Sequence, residues 1–566
     1  MLKNMSIIVV LLFATNIALA NPTSESPNLN VTSLDRILNE DGFLVSSTEW
    51  SPDGQYLLIV CCKPISRSNS VYKHYLLDTN SHTFGEIDYR IKELSSYSIP
   101  EAKWAPSGDK IYFRVSTVGS TYYGNCYIVC NPDGKNLKGV GTNFTDLSSI
   151  LENLGSIGSQ NNLKWSPDSS KILFDWEKPG NIFSGVYLAN GNGANARELL
   201  SEAREPTWYN SNDFFVTTDK GTVVLINDSG NLIRTFQPEN EEQEYVRFSL
   251  SPDREKIIFT SNAENGIFQT YISDINGSKL KKYISYYGGT NFERSIDSSW
   301  QPDGSLIVVN KKGNLYILEG EEHEERLLYE GNATNSRCFP DGKKILFVEN
   351  ENQLYSIDID GTNLSSITNF GLTTSYFWNM VGASQFSISP SGDIIAFTSA
   401  LDPATGKIIE NEPAPSTRQN VAAPLFIINS DGSNLTQVTP AVKGRYVTPA
   451  VKGRYDISGG WSPNGKQFTI DSILFSKDSD SSYGGSFLVE LNSENSSPIW
   501  KNMPVKEIIG SEESSTVGEV QINESNSANT SQITEHKETG NQSPSFMFFQ
   551  LFFCIMGIWL IHKNRE

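Results

Sequence analysis

The chain has 566 residues, 38% hydrophobic and 11% aromatic, with 43 Gly, 25 Pro, 6 Met and a formal net charge of -20. There is enough apolar material for a core, and the Gly and Pro content suits many short strands and turns better than a helical bundle. So acidic a surface repels phosphate backbones and anionic headgroups, which excludes nucleic acid as a partner and otherwise serves solubility.

The N-terminus reads as a secretory signal over residues 1–20. Lys3 supplies the positive start, Ile7 to Phe13 the apolar core, and Ala18-Leu19-Ala20 the small residues before cleavage at Asn21. A retained signal anchor is the alternative. Eleven Asn-x-Ser/Thr sequons follow, at Asn30, Asn143, Asn227, Asn276, Asn332, Asn363, Asn434, Asn495, Asn523, Asn529 and Asn541. They permit glycosylation of an exported chain without proving it. Of six cysteines, Cys126 and Cys130 share one predicted strand, too far apart to bridge each other. A bridge from Cys61 or Cys62 to Cys126 or Cys130 remains open. No Cys-x-x-Cys pair occurs, and no metal or cofactor is expected.

One phrase returns along the chain: an apolar residue or Trp, a Ser-Pro-Asp-Gly-like turn, then an alternating strand. It occurs at Trp50, Trp104, Trp165, Leu250, Trp300, Cys338, Ile388 and Trp461, with a worn copy at Trp208. A second phrase follows in many units, as in Asp358-Ile-Asp-Gly-Thr-Asn-Leu364 and Asn429-Ser-Asp-Gly-Ser-Asn-Leu435. Asp-Gly and Asn-Gly accept the positive φ of tight hairpins, and Pro pre-sets the first turn. Each unit therefore predicts about four strands, the length of one propeller blade. The repeated tryptophans are structural, packing between blades. Asp358, Asp360 and Asn363 invite a calcium reading, but lack the closing bidentate Glu of an EF-hand loop and read as a turn.

The two phrases together resemble the TolB-like, WD-repeat-like β-propeller family over roughly residues 45–500. The resemblance implies an all-β fold: a single propeller of about eight, possibly nine, four-stranded blades spanning 29–505. The α/β domain that precedes the TolB propeller is missing, so TolB's envelope role is not carried over.

In such a blade the first and third turns share one face, and the longer connections share the other. The irregular segments gather on that second face: Pro64 to Ser70, Val118 to Gly124, Glu177 to Ser184, Tyr286 to Ile296, Gly371 to Gln385 and Leu401 to Asn420. Their aromatics, Tyr122, Tyr123, Tyr286, Tyr287, Tyr376 and Trp378, are the candidate ligand-binding residues, suited to stacking on sugars or holding peptide side chains. One oddity stands before the last blade: Val438 to Tyr446 and Val447 to Tyr455 are the same nine residues, read as a tolerated insertion in the connection.

Five histidines, no Gly-x-Ser-x-Gly elbow and no phosphate-cradling loop argue against an enzyme. Carboxylates assembled from distant blades keep a polysaccharide hydrolase or lyase as the alternative. Residues 506–545, rich in Ser, Glu, Asn and Thr, predict a disordered stalk. Phe546 to Ile561 is apolar, a short membrane span or a surface-sorting segment, and 562–566 a basic cytoplasmic tail. The expectation is an exported, surface-attached module that binds an extracellular protein or glycan.

Overall fold

The computed structural model of the chain describes most of residues 29–509. Outside the described residues lie 1–28, 510–566 and the stretches 39–41, 67–68, 88–96, 118–124, parts of 146–156, 179–183, 238–243, 263–266, 288–297, parts of 303–306, 312, 320–323, 351–352, 370–385, 400–424, 439–444, 450–459, 476–481 and 492–500. The signal at 1–20, nearly all of the stalk, the apolar segment and the basic tail fall there. Among the described residues no helix is long and apolar enough to cross a membrane.

The recurring phrase builds a recurring unit. In the first, Leu44–Trp50, Tyr56–Ser66, Asn69–Asp78 and Thr83–Glu86 form an antiparallel meander in chain order. The first strands of later units are Tyr97–Trp104, Ser159–Trp165, Ala203–Trp208, Glu244–Leu250, Ser298–Trp300, Ala333–Cys338, Phe386–Ile388 and Arg445–Pro449. The fold is all-β and built from blade-like, four-stranded units, as the repeat implies. The worn copy is a full unit, with strands Ala203–Trp208, Asp213–Thr218, Val223–Asn227 and Leu232–Phe236. Asn210 replaces the missing turn residues there, its side-chain oxygen accepting from the Asn212 and Asp213 amides.

Period-two alternation decides what each strand buries. In unit 1, Leu57, Ile59 and Cys61 face the last unit and the helix Leu34–Leu38, while Leu58 and Val60 face unit 2. The apolar clusters straddle consecutive units: Phe174 with Val129, Phe215 with Phe259, Phe347 with Ile317, Phe397 with Leu346, and Ile470 with Ile427. A unit with two apolar faces cannot stand alone, so the core lies between units.

The chain ends complete the outermost units. Leu29–Ser33 pairs antiparallel with Ser482–Leu491 and serves as the fourth strand of the last unit, with Leu29 opposite Leu491 and Ser33 opposite Phe487. Asn30 donates to Glu490 at 2.9 Å, and Asp35 accepts from the Ser486 and Val45 amides at 3.0 Å each. At the other end Lys501–Asn502 adds in parallel to the fourth strand of unit 1, opposite Thr83 and Phe84. A helical turn, Val505–Ile508, then sets Val505, Ile508 and Ile509 against the unit 1–unit 2 core. Folded chain thus runs past the boundary expected at 505, because Ile508 and Ile509 find an apolar seat.

Six first strands carry one extra residue opposite their neighbours, for example between Val45 and Ser47 and between Arg204 and Thr207. The last unit differs. Pro449 opposes Ile470 and Trp461 opposes Phe468, so twelve steps on the first strand match two on the second. The surplus is ten: the usual bulge residue plus one nine-residue repeat. The second copy thus begins at Val447, which pairs with Ser472 within the first strand and not in the connection before it, while its residues 450–455 lie outside the described residues.

Candidate binding face

Both tight turns of a unit lie at one end. In the first turn of unit 1 the Ser51 hydroxyl donates to Asp53 at 2.5 Å and accepts from the Tyr56 amide at 2.8 Å, while Asp53 also accepts from the Gln55 amide. The same staple recurs at Ser166–Asp168, Ser251–Asp253 and Ser462–Asn464, at 2.6 to 2.7 Å. At Asp168 these donors hold the carboxyl down to about 2. The second turn is tied to the first, as in the Asp228 amide to the Asn212 carbonyl and the Ile359 amide to the Lys343 carbonyl.

These turns touch from unit to unit. A Cβ on Gly54 would sit 3.1 Å from Pro463 Cδ, on Gly392 3.4 Å from Pro340 Cδ, and on Gly465 3.7 Å from Pro390 Cδ. All three glycines have φ near +70 to +80, which a side chain would strain. Ser107 N donates to Ser169, Lys171 to the Ser211 carbonyl, and Arg254 to the Tyr209 carbonyl. Farther out, Arg197, Arg234 and Arg326 each reach a carbonyl in the second turn of the next unit, at Asp228, Asn276 and Asp360.

The repeat tryptophans make a second periodic latch. Four of the six indole N–H groups reach the previous unit, at the residue just before that unit's own repeat position, whereas those of Trp165 and Trp461 are buried with no hydrogen-bond partner among the described residues. Trp104 donates to the Glu49 carbonyl, Trp208 to the Lys164 carbonyl, Trp300 to the Ser249 hydroxyl, and Trp50 to the Gly460 carbonyl of the last unit at 3.0 Å. Trp50, Trp104 and Trp208 are buried; Trp165, Trp300 and Trp461 are half-buried. Their burial is thus unequal.

The opposite end carries the connections between second and third strands and between units. They are uneven: Thr398 to Leu425, Ile367 to Phe386 and Tyr287 to Ser298 are long, whereas Lys311 to Asn314 is short. Of the candidate aromatics, Tyr122, Tyr123, Tyr376 and Trp378 fall outside the described residues. Tyr286 and Tyr287 end the fourth strand Lys281–Tyr287, opposite Phe268 and Ile267. Tyr286 and Tyr287, expected in an irregular segment, are therefore strand residues, and 288–296 of that segment lie outside the described residues. The Pro64 to Ser70 segment is likewise a prolonged hairpin, with Pro64 opposite Ser70 and Ser66 opposite Asn69. Hairpin pairing outran the turn residues that marked these loops in the sequence.

Among the described residues no group of three His, Cys, Asp or Glu could hold a metal ion. Asp360 accepts from the Thr362 amide and hydroxyl, and Asp358 from the Asn363 amide group, so this pair builds its turn. No disulfide joins the five described cysteines. Pleat parity sends Cys61 to the last unit's side and Cys126 and Cys130 to the unit 1–unit 2 core. Burial pushes the Cys126 thiol up to about 12. Two further buried groups are displaced. His74 is held near 3 by desolvation, edge-on to Phe113. Asp175 is raised to about 6 by desolvation, although Asn162 Nδ2 at 2.6 Å and the Glu205 amide at 3.1 Å donate to it. Sequence reasoning missed both because neither stands in the repeat phrase.

No family profile and no curated protein matches this chain. Among solved structures it is similar to tricorn protease, at 13% identity and a TM-score of 0.28, covering 79% of this chain and 49% of that one. It is similar to a TolB-type protein of Agrobacterium tumefaciens, at 16% and 0.24, covering 52% and 94%. It is similar to the C-terminal WD40 domain of Sif2, at 12% and 0.37, covering 79% and 95%. The chain spans about half the length of tricorn protease. At these identities and scores, nothing those proteins do is carried to this one.

Proposed function

We propose that the nine units close into a single propeller that acts as an extracellular binding module for a protein or glycan. One observation carries this reading: the two ends of the units are unlike. One end carries short turns stapled by their own Ser and Asp or Asn side chains. At the other end the described strands are joined by connections of very unequal length, to which Tyr122, Tyr123, Tyr376 and Trp378 belong in sequence. A rigid scaffold with variable loops at one end is where ligand contacts concentrate. Export by residues 1–20 and attachment through 546–561 would set that end before an extracellular partner.

The test uses the secreted form, residues 21–509, on glycan arrays and on purified surface polysaccharide. Binding without turnover is expected, and it should fall at least tenfold when Tyr122, Tyr123, Tyr376 and Trp378 are replaced together by Ala. Release of shortened polysaccharide would instead favour a hydrolase or lyase. Undiminished binding by the fourfold variant would move the site off this end.

A further inference from the structure

We propose that the first strand of the last unit has two interchangeable registers, one for each copy of the repeated nonapeptide. The argument is one of counting along the backbone. In the observed register Arg445 opposes Leu474, Tyr446 opposes Ile473, Val447 opposes Ser472, Thr448 opposes Asp471 and Pro449 opposes Ile470. The strand resumes at Gly460, whose carbonyl accepts from the Thr469 amide at 3.0 Å, and at Trp461 opposite Phe468. Shifting the chain by nine residues puts Arg454 opposite Leu474 and Tyr455 opposite Ile473. The next three positions are then Asp456, Ile457 and Ser458, and Ser458 opposes Ile470.

In the shifted register a single residue, Gly459, is left over before Gly460 and Trp461. That is the one-residue bulge that six other first strands carry. In the observed register twelve residue steps from Pro449 to Trp461 match two on the partner strand, ten more than the pairing needs. Nine is also the length of the repeat, so Arg and Tyr return to the same two partners and the pairing partners see no change there. An ordinary loop insertion has no reason to match the register in this way. The shift also replaces Pro449, which has no N–H to donate, by Ser458, which has one.

The two states differ in where the surplus chain goes. In the observed register it falls, in sequence, between the paired positions Pro449 and Gly460. In the shifted register it lengthens the connection that follows Val438, delivering Lys443, Arg445 and Lys452 with no intervening acid to the uneven-loop end of an acidic protein. A single step between the two leaves Trp461, its turn and the unit's remaining strands where they are. The register is thus a two-state element at the junction of the last unit with the one before it.

The test is a double-mutant cycle on the full ectodomain. Successive backbone N–H groups point to opposite sides of a strand, so two adjacent prolines remove a paired donor whatever the parity. Tyr446→Pro with Val447→Pro blocks the observed register; Tyr455→Pro with Asp456→Pro blocks the shifted one. Each block alone should lower the melting midpoint by no more than about a degree, and both together by several degrees more than their sum. Full loss from one block with none from the other means a single register and overturns the proposal. Additive losses overturn it as well. Deleting residues 447–455 provides a second arm. It leaves one copy in a continuous strand, and the midpoint should be unchanged or higher; a drop of several degrees would show that the surplus chain is itself needed.

Discussion

At the scale of single residues the repeated indole latch is the feature with the clearest energetic consequence. Trp208 is buried, fills the space between the third and fourth units with Phe214, and donates to the Lys164 carbonyl at 3.0 Å. Trp208→Ala should cost about 3–5 kcal/mol, whereas Trp208→Phe keeps most of the ring and loses a donor worth about 1 kcal/mol. Denaturant melts of the two variants measure the difference. Trp300, half-buried, should cost less than Trp208 when replaced by Ala; equal costs would mean that exposure does not rank the latches. Asp175 gives the pH-dependent case. Its folded pKa, about 6, lies above the ordinary value of 3.8. The native state therefore holds a proton that the unfolded chain has lost between those values. Stability from this group is fully present below pH 4 and declines as pH rises to 6, by a difference on the order of 3 kcal/mol. His74, lowered to about 3, acts in the opposite sense: its contribution is present above pH 6.5 and is lost as pH falls toward 3. Asp175→Asn keeps an acceptor for Asn162 and the Glu205 amide. It should raise stability at pH 7.5 and remove the decline between pH 4 and 6. An unchanged slope across that window would mean that the carboxyl is hydrated.

At the scale of elements, the sequence was most legible where local chemistry and period agreed. Ser-Pro-Asp-Gly and its variants, followed by alternation, located the first turn and second strand of eight units, and the worn copy at Trp208 still folded as a unit because its strands alternate. Legibility failed where pairing partners are remote in sequence. Leu29–Ser33 is five residues with no repeat signal; it is a strand because Ser482–Leu491 offers an open edge. Lys501–Asn502 and Val505–Ile508 belong to the fold because Phe84 and the unit 1–unit 2 core receive them. The connections that carry Tyr122, Tyr123, Tyr376 and Trp378 fall outside the described residues. The terminal turn makes a definite prediction. A Cβ at Gly85 would lie 2.1 Å from the Met503 carbonyl oxygen, so the chain passes directly over that strand. A chain ending at 505 loses Ile508 and Ile509 from their core seat. It should melt below one ending at 509, by roughly 1–2 kcal/mol of lost apolar burial. Equal melting would return the boundary to 505.

At the scale of the whole molecule, stability depends on joining the first unit to the last. Units packed only on their neighbours contribute additively along the chain, and an unsealed junction leaves two apolar faces in water. Three features seal it here: the apolar cluster of Trp50, Leu57 and Leu488, the Trp50 bond to Gly460, and the N-terminal strand on the last unit. The strand is the part that can be removed without touching a core aromatic. Without residues 21–33, Ser482–Leu491 becomes an exposed edge, Glu490 loses Asn30, and the helix Leu34–Leu38 loses its lead-in. A row of unpaired N–H and C=O groups then stands open to another chain. The shortened protein should be destabilised by several kcal/mol and should associate through that edge, seen as a concentration-dependent rise in mass by light scattering. A synthetic peptide of residues 27–34 added in excess should occupy the edge, suppress the association and raise the melting midpoint with peptide concentration. If the shortened chain stays monomeric and melts with the intact one, the N-terminal strand is an ornament on the last unit and the junction is held by Trp50 and its neighbours alone.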